Sequence, residues 1–130
     1  MNLRQITRRQ PIALALGTLL IGSLLLPPRS AAQDGGVPER QVRALNLARD
    51  TAVRLNGGLS VYRPADCMFA TSDNSNPCLV NSNDQGFFFR FAGGPPGWQS
   101  QNIPPTRLTE IQISADGRQV VVVRYNGNPR

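Results

Sequence analysis

Two cysteines, eight carboxylates and fourteen arginines are the residues of this chain equipped to react, ligate or bind charge; there is no histidine and no lysine. Histidine is the commonest general base and a leading metal ligand, and lysine the usual amine nucleophile, so most familiar catalytic constellations are excluded. Carboxylates remain. A pair of them could serve as acid and base at a glycosidic bond, and the candidates are Asp50, Asp66, Asp73, Asp84, Glu110 and Asp116. They are scattered over turns and a helix surface, in a chain too short to wall a sugar cleft. Asp116 is explained by the turn it opens and Asp50 by an i,i+4 partner, Arg54. A carboxylate-based hydrolase is thus the least favoured reading, and no catalytic residue, metal or cofactor is assigned.

The two cysteines, Cys67 and Cys78, read as a structural bridge. Redox pairs use the spacing Cys-x-x-Cys, and a metal would need further ligands that the chain lacks. In a small exported domain such a pair is expected to be oxidised.

Export itself is written at the start of the chain. Arg4, Arg8 and Arg9 form a basic opening, Ile12 to Leu26 is almost wholly apolar, and Ser30-Ala31-Ala32 offers small residues for a signal peptidase. Residues 1–32 therefore read as a cleavable signal. The competing reading, a retained anchor, asks for about 20 apolar residues, more than this run supplies before Pro27-Pro28. The membrane is then touched only in transit. Removing the signal also dissolves the basic character. The full chain carries a net charge of +6, but four arginines leave with residues 1–32 and ten face the eight acids that stay. No basic run survives to bind nucleic acid.

The remaining elements must position whatever surface does the work. After a lead-in at 33–37, Pro38 suits the first turn of a helix and Glu39 its positive end. Val42, Leu45, Ala48, Ala52 and Leu55 then recur at helical spacing, and Asn56-Gly57-Gly58 ends the run. Arg49 falls within that apolar stripe and is expected to lie along its rim with its head in water. Leu59 to Arg63 alternates as a first strand, with Leu59 and Val61 on one side and Ser60 and Tyr62 on the other. Asp66 to Asn83 is a polar loop without period. Gly86 to Phe91 is the strongest strand, its Phe87, Phe89 and Phe91 alternating with Phe88 and Arg90. Gly93-Gly94-Pro95-Pro96-Gly97 is expected to break it and present Trp98.

Thr109 to Ile113 and Val120 to Tyr125 form a hairpin about Asp116-Gly117. A two-residue primed turn would set Val120 and Val122 opposite the isoleucines, and a three-residue loop with a bulge would set Val121 and Val123 there. The sequence leaves both open. Either way the last strand is apolar on both faces, so its second face is covered or binds something.

One helix followed by about four strands gives an α+β domain over residues 38–126, with 127–130 as a tail. The helix packs on a roughly four-stranded antiparallel sheet, the order found in small cystatin-like and PepSY-like folds. If the helix covers the triple-Phe face, Phe88, Arg90 and Tyr62 share the open face, an apolar patch with an arginine that suits a partner or an anionic ligand. Trp98, carried on a stiff loop, joins them as a candidate contact, unless it folds back over the sheet.

The run Asn56-Gly57-Gly58-Leu59-Ser60-Val61-Tyr62-Arg63-Pro64, the Gly86-to-Trp98 segment and the closing Tyr125-Asn126-Gly127 resemble small exported proteins of unknown function from cyanobacteria. The resemblance runs from about Leu45 onward. It implies an envelope or secreted location and no chemistry. The expectation is a non-catalytic exported domain that binds another exported protein or an envelope component through the open sheet face and the Trp98 loop. An inhibitor or regulator of an exported hydrolase is the alternative that the cystatin-like order suggests.

Overall fold

The computed structural model describes residues 36–72 and 75–130, so the expected signal at 1–32, most of the expected lead-in and Asp73 lie outside the described residues. One helix, α1 (Glu39–Leu55), packs on an antiparallel five-stranded sheet: β1 (Arg63–Pro64), β2 (Leu79–Asn83), β3 (Gly86–Gly94), β4 (Arg107–Ile113) and β5 (Val120–Gly127). The strand path is β1-β3-β4-β5, and β2 pairs with β3 on the same side as β1. β3 is thus the hub of the sheet.

α1 starts where expected because Pro38 has no N–H to satisfy and its carbonyl accepts from Gln41 and Val42 at 2.8 and 3.2 Å. The helix buries Ala44, Leu45, Ala48, Thr51 and Ala52 against the sheet. Three alanines in that stripe let the backbone approach closely, and the volume is made up by Phe87, Phe89, Phe91, Ile111 and Ile113 from the strands. Each such buried side chain contributes about 1.5–3 kcal/mol.

The expected Asp50–Arg54 pair does not form. Asp50 instead meets Arg49 at 3.1 Å, Arg54 donates to the Thr51 hydroxyl, and the i,i+4 pair of the helix is Glu39–Arg43. Arg49 is held rather than free, with its guanidinium 5.0 Å from the centre of the Phe69 ring and a bond to Met68 O at 3.4 Å.

The helix is seated at its N-terminus by the β4–β5 turn. Arg43 Nη2 donates to Asp116 O at 3.1 Å. Gly117 adopts a φ of 75°, and a Cβ there would lie 2.3 Å from Arg40 O, so no larger residue fits beneath the first turn. The Ser114 hydroxyl and then the Arg118 N–H hold the Asp116 carboxyl below the usual carboxylate range. At the other end Asn56 and Asn126 exchange side-chain amide bonds at 3.1 and 3.2 Å, and the Thr109 hydroxyl donates to Asn126 Oδ1 at 2.9 Å. Asn126 therefore belongs to the fold.

The strand expected at Leu59 to Arg63 is replaced. Gly58 O accepts from both Val61 and Tyr62, which coils this run into a turn, and only Arg63 and Pro64 pair with Gly94 and Gly93. Two strand features escaped the pattern. β2 lies in the polar loop because an edge strand with an exposed surface carries no apolar alternation. β3 runs through Gly93 and Gly94 instead of stopping. A Cβ at Gly93 would lie 2.3 Å from the Tyr62 ring, and one at Gly94 would lie 2.9 Å from Trp98, so these glycines make room for aromatic rings.

Hairpin register follows neither expected alternative. Ile113 faces Val120, but Gln112 faces Val122 and Ile111 faces Val123. Val121 is the extra residue of one bulge and Arg124 of a second. Cys67 and Cys78 form a disulfide with a Cα separation of 5.9 Å, linking the 3-10 turn Asp66–Phe69 to the start of β2.

Candidate functional site

With α1 on one face of the sheet, alternation along β3 turns Phe88, Arg90 and Ala92 to the other. Pairing register then sets the rows of that open face. Asn81, Phe88, Gln112 and Val122 form one row, and Arg90, Glu110 and Tyr125 the next. Phe88 and Arg90 therefore share the surface that the sequence assigned them.

The arginines organise this surface. The bulge at Arg124 carries its guanidinium to 4.8 Å from the centre of the Phe88 ring, and Nη2 donates to Gln112 Oε1 at 2.9 Å. Arg90 stands 3.6 Å from one oxygen of Glu110, and Arg130 donates to the other at 3.2 Å while lying 4.0 Å from the centre of the Tyr125 ring. Ion pairs this exposed contribute about 0–1 kcal/mol to stability. Their effect is to preorganise. A guanidinium stacked on a ring keeps its N–H edge directed outward in a fixed plane, ready for a carboxylate or phosphate. With Arg130 set against Glu110, Arg90 and Arg124 leave the face positive. Beside them Asn81, Asn83, Gln85 and Gln112 line a polar hollow of about 110 Å³ together with Phe88 and Arg124.

Two expected contacts are not here. Trp98 is 9% exposed, and its Nε1 donates to Arg63 O at 3.0 Å. It folds back over the Gly94 end of β3, because the 95–101 turn brings the indole down where glycine leaves space. Tyr62 is 2% exposed and packs in the core over Gly93, since the turn after Gly58 reverses the expected alternation. Among the described residues its hydroxyl makes no hydrogen bond of good geometry, and the nearby Thr109 hydroxyl donates instead to Asn126.

Burial pushes the Tyr62 phenol above its ordinary value, against smaller pulls from Thr109 and Arg107. As pH rises past about 10 the unfolded phenol ionises first, so stability present below that pH is lost above it. Tyr62→Phe should remove this alkaline loss and leave stability at neutral pH unchanged or raised by up to about 2 kcal/mol. Urea midpoints at about pH 7 and about pH 10.5 check both halves.

Sequence reasoning missed Arg124, Glu110, Tyr125 and Gln112 as members of this face. Gln112 and Glu110 were legible as outward positions of β4. Arg124 was not, because the bulge that redirects it follows from the whole hairpin. Among the described residues, no three potential metal ligands converge, and no helix is long and apolar enough to cross a membrane. No family model, curated protein or solved structure matches this chain.

Proposed function

We propose that this chain is an exported, non-catalytic binding domain that docks a partner protein or envelope component of negative charge against its open sheet face. The carrying observation is Phe88 capped by the Arg124 guanidinium, with Arg90 in the next row, on a face turned away from α1. An aromatic and arginine pair is the composition of an interface anchor, and the excess positive charge selects an acidic counterpart. The Cys67–Cys78 disulfide fits an oxidising compartment, which supports the export part of the reading.

The test uses a C-terminally tagged copy recovered from the envelope and medium of the source cells. Export predicts an intact mass that begins at Gln33. Docking predicts one reproducible acidic partner whose capture weakens with salt and falls by about tenfold or more in Phe88→Ala and in Arg124→Glu. Both variants alter side chains outside the core and should fold normally. Capture that ignores both substitutions would remove this face from consideration.

A further inference from the structure

A further cavity lies away from the open sheet face. It is a cleft of about 340 Å³ between the 63–69 segment and the 95–101 turn, lined by Arg63, Asp66, Phe69, Pro96, Trp98 and Gln99 among others. Its walls are fixed to each other. Trp98 Nε1 donates to Arg63 O at 3.0 Å, Asp66 N donates to Gln99 Oε1 at 2.7 Å, and the disulfide at Cys67 anchors the first wall to β2. Preorganised walls let a small ligand bind without first ordering the protein.

Both cross-links on the 63–69 side use backbone atoms. Arg63 supplies its carbonyl and Asp66 its amide, while among the described residues the Arg63 guanidinium and the Asp66 carboxylate have no ion pair with one another or with a third group. Both line a cleft whose remaining wall mixes polar and apolar groups. Phe69, 46% exposed, presents an aromatic wall, and Gln99 retains a free amide N–H₂ because only its oxygen is engaged.

We infer that this cleft binds a short peptide with free termini, a di- or tripeptide carrying one apolar side chain. Its carboxylate meets Arg63, its ammonium group meets Asp66, and its side chain lies against Phe69 and Pro96, with Gln99 Nε2 donating to a peptide carbonyl. A ligand with one charge would leave the other rim group unanswered, whereas a zwitterion answers both. The volume lies at the low end of the range of about 300–1,000 Å³ typical of small-ligand pockets, which suits a peptide of this length. A saccharide finds little purchase, because the indole is covered and one face of Phe69 carries the Arg49 guanidinium.

Titration calorimetry of the oxidised protein with Gly-Phe-Gly tests this, using its N-acetylated and C-amidated forms and chitotriose as comparators. The free tripeptide should bind with a Kd on the order of 0.1–1 mM. Amidation should weaken wild-type binding about tenfold and make no difference in Arg63→Gln. Acetylation should do the same in wild type and make no difference in Asp66→Asn. Phe88→Ala should bind the peptide as wild type does, which separates this site from the sheet face. The proposal is overturned if the tripeptide does not bind, if blocked and free forms bind alike, or if end-sensitivity survives both substitutions. Binding of chitotriose in place of the peptide would also overturn it.

Discussion

Trp98→Ala should cost about 3–5 kcal/mol of folding stability, a large part of what a small domain has. The indole is 9% exposed, rests where a Cβ on Gly94 would lie within 2.9 Å, and donates from Nε1 to Arg63 O at 3.0 Å. Truncation removes the packing and leaves the Arg63 carbonyl without its donor. The effect should also reach the backbone, since Trp98 N bonds to Pro95 O and Trp98 O accepts from Ile103. With the ring gone, the turn loses the weight that seats it on β3. Urea denaturation should show the midpoint falling with a similar slope, as for a loss of stability without a change in the unfolded chain. An unchanged midpoint would mean that the indole is not packed as described. For function the consequence is direct: a loss of partner capture in this variant reports on the fold.

Breaking the Cys67–Cys78 bridge should cost about 2–4 kcal/mol, whether by reductant or in a Cys67→Ala/Cys78→Ala variant. The bonded residues are 11 apart in sequence. Within the segment they enclose Met68 is buried in the core, and Asn76 is a further organiser. Asn76 Nδ2 donates to Cys67 O at 2.7 Å and its Oδ1 accepts from Cys78 N at 2.8 Å. These bonds hold the two cysteines in register and persist without the sulfur link, so the bridge and Asn76 should act as partly redundant ties. Thermal denaturation with and without reductant gives the size of the first. A shift no larger in wild type than in the double-alanine variant would mean the bridge is not formed in solution.

The core and its covering helix could be read directly from residue types, because periodicity reports which side of an element is dry. Phe87, Phe89 and Phe91 on one strand and the Leu45–Ala48–Ala52 stripe on α1 both obeyed it. Local pattern failed where a residue serves a distant partner. Gly93 and Gly94 look like strand breakers, yet they continue β3 because Tyr62 and Trp98 fill the space above them. Tyr62 reads as an outward residue by alternation and is inward because Gly58 coils the segment before it. The same limit applied to the open face. Phe88 and Arg90 followed from alternation, but Arg124 reached Phe88 only through a bulge whose position the sequence left undecided. Exposed strands such as β2 carry no burial signal at all, so pairing can be found only from the partner strand.

β5 closes one side of the sheet, and beyond it the ladder stops. Val120, Val121 and Val122 stand 37%, 55% and 40% exposed on a strand whose outward edge has no neighbouring strand among the described residues. Consecutive valines on an open edge are the raw material of fibrils, which grow by stacking identical strands at a repeat of about 4.8 Å. The bulges at Val121 and Arg124 work against this. Each breaks the two-residue rhythm, so an incoming copy cannot match its amides to more than a few in succession. The second also brings a guanidinium into the strand, and stacking copies would pile like charge on like charge. The irregularity that aims Arg124 at Phe88 thus also raises the nucleation barrier to aggregation, so one kink both shapes the open face and guards the edge.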